Sequence, residues 1–561
     1  MGFTESPCVA MPKRPELLER LESQHYDMIV VGGGITGCGV ARDATRRGLK
    51  VALIEARDVA YGTSSRSSKL IHGGLRYLEQ LEFGLVWEAV NERRNLERLA
   101  PHLVSAQSFF FPIYSHSPVK LFTLKLGLWV YEALVLFRVP HLHRSFGVKK
   151  AALEEPTLKS EELRGATLYW DCTTNDARLT LETAIDAQQQ GADLATYCKV
   201  SEFLRDESGQ ITGVGLTDEL TGKTLNVTGS CVVNATGPWS DRTRALMGHQ
   251  GHLLRPTKGI HLVVDSARLP IQHAIVLHHP EDGRILFCVP WGDRTYIGTT
   301  DTDYKGLASE VAASAEDVDY LLRSCLFFFP EAHLTREDVV STWAGLRPLI
   351  SEGEGDASSV SREHQVVVEP EGLITIAGGK LTTYRRMSAE VVDHCVTFLQ
   401  QHGFERDLRR SGTDKACFPG AVDWPKGTSV EDMESRVIEA SGGHLDKESS
   451  SLLVSEYGSS ALEIARLIPE TPKLGERLIP ERAEILAMVD WAVLKEFAMK
   501  LSDIMIRRTQ LFFKDRDQGL GAVDLIAQRM AQLLGWSPAV LEAEIAAYRA
   551  EVMQSRQWQS E

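Results

Sequence analysis

The 561-residue sequence lacks the features of a secreted, membrane-spanning or nucleic-acid-tracking protein. Its nine cysteines (Cys8, Cys38, Cys172, Cys198, Cys231, Cys288, Cys325, Cys395 and Cys417) are an odd number with no CxxC pair. That argues against a disulfide framework and predicts reduced thiols in a cytosolic chain. There is no surplus of positive charge: 61 Lys and Arg against 76 Asp and Glu leave −15. This is the wrong sign for a surface that follows phosphate backbones, so an anionic ligand needs a local cationic cluster. Met1 to Gln24 contains no apolar run able to act as a signal-peptide core, which predicts that the chain is not secreted. Internal repeats and long low-complexity tracts are also missing.

No stretch supplies the roughly 20 mostly apolar residues of a spanning helix. The nearest, Leu121 to Val139, is interrupted by Lys125, Glu132 and Arg138. It still carries Leu121, Phe122, Leu124, Leu128, Trp129, Leu134 and Phe137, with Arg138, Arg144, Lys149 and Lys150 close behind. Two readings follow: a helix lying in a membrane interface, with Leu128 and Trp129 in contact with lipid, or a core helix of a large domain.

What is present is a globular composition, 43% hydrophobic and 24% charged, in a chain long enough for about three domains. The strongest local signal starts at Asp27. The apolar run Met28-Ile29-Val30-Val31 enters Gly32-Gly33-Gly34-Ile35-Thr36-Gly37, a helix is predicted to about Arg47, and Val51-Ala52-Leu53-Ile54-Glu55 forms a second strand. In this βαβ unit Gly32 permits the tight turn, Gly34 lets a pyrophosphate approach the backbone, and Gly37 lets helix and strand pack closely. Glu55 stands where a ribose hydroxyl would be bound. Strand, turn, helix, second strand and acid all occur in order, which predicts dinucleotide binding.

Two later junctions repeat the strand-to-glycine theme, at Val232 to Trp239 through Gly237 and at Leu373 to Lys380 through Gly378 and Gly379. Together they predict one nucleotide-binding body assembled from separated segments. Between the first two lies Gly62 to Tyr77, rich in small hydroxyl residues and paired glycines, which suits backbone passing a bulky ligand or a polar surface loop. A separate helical region is predicted from about 401, with Leu494, Phe497, Leu501 and Ile504 on one helix face.

The stretches GGGITGCGVARDATRRGL (32 to 49), GTSSRSSKLIHGGLRYLE (62 to 79), DARL (176 to 179), NATGPWSD (234 to 241), KGIHLVV (258 to 264), PWGDRTYIGTTDTDY (290 to 304), AGLRPL (344 to 349) and GGKLTTYR (378 to 385) resemble the FAD-dependent glycerol-3-phosphate dehydrogenase family, within the D-amino-acid-oxidase-like flavoproteins. YGSSA (457 to 461) and RRTQL (507 to 511) resemble that family's C-terminal domain more loosely. The resemblance implies an α/β plus α protein. It would have a discontinuous Rossmann-like FAD domain (about 26–100, 171–257 and 346–400), an inserted α+β substrate-binding domain (about 101–170 and 258–345), a helical domain at 401–561 and an N-terminal tail at 1–25.

By the same resemblance, FAD is bound noncovalently by Gly32, Gly33, Gly34, Gly37, Glu55, Thr63, Ser64, Ser68, Lys69, Gly73, Gly74, Leu75, Gly237, Gly379, Lys380, Leu381 and Thr382. Arg347, Arg76, Tyr77 and Lys380 surround the substrate, and His261, Arg347 and Lys380 carry the catalysis. Arginine suits a phosphate because its planar fork meets the oxygens in pairs. His261 is either the acceptor of the hydroxyl proton or a strand histidine bonded to backbone. No metal is expected, since His273, His278 and His279 lack partners at ligand spacing.

The implied reaction is oxidation of sn-glycerol 3-phosphate to dihydroxyacetone phosphate by hydride transfer to FAD. Electrons would pass to membrane quinone at the cytoplasmic membrane surface, and a homodimer is compatible with this reading. An oxidase using oxygen is the alternative, and an FAD-containing RNA-binding protein is a remote one that the acidic charge opposes.

Overall fold

The computed structural model describes residues 12–75, 82–134, 141–249, 251–351, 363–424 and 428–560. Its centre is a six-stranded sheet in the order His364–Val368, Leu373–Gly378, Val232–Asn234, Met28–Val31, Val51–Ile54, Asp193–Ala195. All neighbours are parallel except the first pair. The strands Met28–Val31 and Val51–Ile54 are buried throughout, which explains their unbroken Val/Ile/Leu/Ala character. The three strands that run into glycine turns are direct neighbours, with Val232 paired to both Ile29 and Leu373. Junctions spread over some 350 positions of sequence therefore open at one edge of one sheet, where α/β folds bind ligands.

A four-stranded sheet (His25–Tyr26, Thr224–Gly229, Ile211–Asp218, Cys198–Arg205) packs beside it. The segment expected as a tail differs from that expectation. Arg14–Ser23 is a helix whose Leu17, Leu18 and Leu21 are buried in the core beneath this sheet. Arg14 is paired with Asp218 at 2.6 Å and Arg20 with Asp193 at 2.7 Å.

A large mixed sheet forms the second body. Leu254–Asp265 pairs with Val339–Ile350 on one side and Arg294–Gly298 on the other, and the sheet continues through Ala274–His278 to Val104–Tyr114 and Leu163–Thr174. The boundaries expected at 170/171, 257/258 and 345/346 each fall inside one of these long strands. The strands cross from one body into the other without a linker.

The helical region also departs from expectation at one point. Helix Leu486–Lys495 ends before Phe497, which takes φ +63°, and a π-helical turn covers Asp503–Arg508. Leu494 is consequently exposed, while Phe497, Leu501 and Ile504 are buried. The break carries Arg507 and Arg508 onto Asp58, in the loop after Glu55, and the second arginine reaches Asp58 Oδ1 at 2.9 Å. Arg178–Glu496 (2.6 Å) and Tyr197–Asp503 (2.6 Å) complete this buried polar seam.

Helix Leu121–Leu134 packs one face into the core and leaves the other exposed. Leu124, Leu128 and Tyr131 are buried, whereas Phe122 (78% exposed), Leu126 (57%) and Trp129 (52%) line the opposite face at i, i+4 and i+7. Leu128, expected to meet lipid, is a core residue. Phe137 and Arg138 lie outside the described residues. No helix among the described residues is long and apolar enough to cross a membrane.

Candidate active site

The glycine cradle is built by close backbone packing. Gly32 has φ +112°, and a Cβ there would lie 2.6 Å from the Ala235 carbonyl oxygen. A Cβ on Gly37 would lie 1.9 Å from the Gly32 oxygen. Gly34 is the N-cap of helix Ile35–Arg47, which begins without a side-chain cap and without an acid in its first turn, leaving its positive end for an anion. Glu55 accepts hydrogen bonds from the Gly33 and Arg57 backbone N–H groups. Burial pushes its carboxyl pKa up, with those two bonds opposing the shift. This arrangement fits a dinucleotide pyrophosphate with a ribose beside Glu55.

The hydroxyl-rich segment ties the bodies together around this cradle. Ser64 Oγ accepts from Ile35 N–H (2.9 Å), and Thr63 donates to the Leu346 carbonyl (2.6 Å). Trp343 donates to Ser67 O (3.1 Å), and Tyr296 to Ser68 O (2.9 Å). Thr382 Oγ1 accepts from His72 N–H (3.2 Å) and donates to His72 O (3.3 Å), joining this segment to the third glycine junction. Gly73 cannot carry a side chain, because a Cβ would lie 2.1 Å from the Tyr131 hydroxyl. Gly74 (φ +73°), Gly237 (φ +54°) and Gly379 (φ +87°) sit in left-handed turns, Leu75 packs against the core, and Leu381 begins a short 3₁₀ turn after Lys380.

The Lys69 side chain is engaged elsewhere. Its ammonium is buried in an ion pair with Asp176 (2.7 Å), within 6 Å of the Trp291, Trp343 and Phe513 rings. A buried cation needs such a carboxylate, so only the Lys69 backbone remains for a cofactor.

Arg347 and His261 project from adjacent strands, where Thr257 pairs with Arg347 and His261 with Trp343. Arg347 donates to Thr299 Oγ1 (2.9 Å) and to Asp301 Oδ1 (3.1 Å), and its guanidinium lies over Gly259, where a Cβ would be 2.4 Å from it. The side chain remains 20% exposed, within reach of a ligand. Thr299 and Asp301 were not singled out from sequence, although they lie inside the quoted 290–304 motif. Lying 48 and 46 positions before Arg347, they carried no local signal that could have found them.

His261 is 2% exposed, lies flat on Trp343 (centroids 4.6 Å, 12°) and meets Ser68 Oγ through Nε2 (2.9 Å). Its partner is thus a side chain and not the backbone. Burial, reinforced by the Arg347 and Lys69 charges, holds its pKa well below the usual histidine value, so the imidazole is neutral. The unfolded chain binds a proton at this residue below about pH 6.5 and the native site does not, so stability is lost as pH falls through that value. Thermal scans between about pH 7 and 5 are expected to show a smaller acid-induced drop in Tm for His261→Gln than for the wild type. Arg76 and Tyr77 lie outside the described residues.

Residues 27–385 match the family described as FAD dependent oxidoreductase, and 411–540 match the C-terminal domain of alpha-glycerophosphate oxidase. The aerobic glycerol-3-phosphate dehydrogenase of Staphylococcus aureus is 35% identical over 97% of this chain and 96% of its own. The chain belongs to the FAD-dependent glycerol-3-phosphate dehydrogenase/oxidase family. The solved glycerol-3-phosphate dehydrogenase of Bacillus halodurans, complexed with FAD, superposes on this flavoenzyme with a TM-score of 0.79 at 30% identity, covering 96% of this chain and 97% of that one. The L-alpha-glycerophosphate oxidase of Mycoplasma pneumoniae shares the fold at 16% identity and a TM-score of 0.54, over 71% of this chain and 99% of its own. FAD is accordingly this enzyme's cofactor, and the glycine cradle and Glu55 fit it.

Proposed function

We propose that the enzyme oxidises sn-glycerol 3-phosphate to dihydroxyacetone phosphate. The observation that carries this reading is the Arg347 guanidinium, oriented by Asp301 and Thr299 and set one strand from a neutral, aromatic-backed His261. Arg347 binds the phosphate, with Lys380 at the adjoining glycine junction as a second cation. The hydroxyl proton passes to His261 Nε2, the nitrogen that meets Ser68 here. A neutral imidazole can accept that proton, whereas an imidazolium cannot. FAD, when bound, supplies the acceptor for the hydride. The test is an anaerobic flavin spectrum: adding glycerol 3-phosphate is expected to bleach the flavin absorption, and an unchanged spectrum of flavin-loaded protein rejects the substrate.

Membrane quinone is the acceptor that the surface favours. Phe122, Leu126 and Trp129 form an exposed apolar face, and Lys120, Lys125, Arg144, Lys149 and Lys150 provide basic residues nearby in sequence for anionic lipid. On this reading the enzyme sits peripherally on the cytoplasmic face of the membrane. Replacing Phe122, Leu126 and Trp129 with Gln is expected to move protein from membrane pellet to supernatant and slow quinone reduction. Activity with a soluble dye should be retained, because none of the three side chains is in the core. An oxidase reading draws on the match to the alpha-glycerophosphate oxidase C-terminal domain. Stoichiometric hydrogen peroxide from detergent-free protein would favour it over the quinone.

A further inference from the structure

A cavity of about 390 Å³ lies where several parts of the chain meet, among them the loop after Glu55, the segment 309–313, the strand bearing Trp343, and the C-terminal segments around Phe513 and helix Pro538–Ser555. Its lining includes none of the fingerprint glycines, so it is distinct from the dinucleotide cradle. The volume is that of a small-molecule site, and junctions between bodies are where such sites occur.

The lining carries the cations Arg57 and Arg66, with Arg507 held by Asp58 and Asp503, and it borders the buried rings of Trp343 and Phe513. Lys500 and Glu544, which also border it, are 3.9 Å apart and offset each other, and Glu551 is the remaining acid. The Arg66 guanidinium lies 5.8 Å from the Tyr61 ring centre, and among the described residues no oxygen accepts a hydrogen bond from it. Burial pushes its pKa down, with the Glu551 charge acting in the opposite direction. A half-buried guanidinium whose donors meet no oxygen of the described residues is a recognition element for a bidentate anion.

We propose that this cavity is a second ligand site, for a small organic anion whose phosphate or carboxylate meets Arg66 and Arg57. The site is coupled by contact to the reaction centre. Trp343 is the ring on which His261 stacks, and Arg66 stands two residues before the Ser68 that bonds His261. That coupling rests on the proposed reaction, whereas binding in the cavity does not.

The test is titration calorimetry on the full-length, FAD-loaded protein with AMP and, separately, with 2-naphthoate. Saturable binding of one equivalent per chain with FAD retained is expected for at least one of them. Binding of AMP alone identifies a phosphate ligand, and of 2-naphthoate alone a carboxylate. Ala547 is an exposed cavity residue on the terminal helix, so Ala547→Trp fills the space without touching the core and should weaken binding about tenfold or more. Glu551→Gln, which removes the opposing charge, should tighten it about threefold. The proposal is overturned if neither probe binds at millimolar concentration, if Ala547→Trp leaves the affinity unchanged, or if the probe releases FAD.

Discussion

Purified Gly34→Val is expected to be folded and nearly colourless. At φ −76° the backbone accepts a side chain, and a Cβ meets only Ser64 Oγ, at 3.3 Å. The protein itself therefore tolerates the change, unlike one at Gly37, where the Gly32 carbonyl oxygen blocks any Cβ. The cofactor does not, because the branched carbon occupies the space through which the pyrophosphate reaches the helix N-terminus. Bound FAD should fall to about a tenth of wild type or less, an effect of roughly 1.4 kcal/mol or more. Circular dichroism and flavin absorbance on the same sample check this. Full flavin stoichiometry in a folded Gly34→Val protein would remove the fingerprint from the cofactor site.

The second large effect is expected at Arg347. Arg347→Ala should lower kcat/KM for glycerol 3-phosphate by about a hundredfold or more, since two charge-assisted hydrogen bonds to phosphate are lost at roughly 1.5–3 kcal/mol each. FAD content should be unchanged, because Arg347 is anchored by Thr299 and Asp301 and touches none of the fingerprint glycines. Arg347→Lys restores the charge without the fork, and the Thr299–Asp301 pair was shaped to hold the fork, so rescue should be partial. Steady-state kinetics at fixed ionic strength test this. Wild-type kinetics in the alanine variant would exclude Arg347 from the substrate site.

Much of the glycine cradle was legible in the chain because its constraints are local. Gly32, Gly34 and Gly37 answer to a turn, a helix start and a close strand, all within six positions, and the buried Met28–Val31 and Val51–Ile54 runs declare a parallel sheet by composition. His261 and Arg347 could be named through motifs, but their working parts could not. Ser68, Trp343, Thr299 and Asp301 meet them only through the tertiary fold, over separations of up to 193 positions. The Lys69 ion pair was illegible for the same reason: only the fold brings Asp176, 107 positions away, onto its ammonium.

The sequence by itself determined the βαβ cradle and the acid beside it, because these follow from residue type at short spacing. Tertiary structure decided which face of Leu121–Leu134 is core, since Leu124, Leu128 and Tyr131 could be told from Phe122, Leu126 and Trp129 only by what packs against them. It also decided that Arg507 and Arg508 leave a helical run to clamp Asp58. A buried carboxylate must find cations, and which ones reach it is set by the chain's path and not by its order.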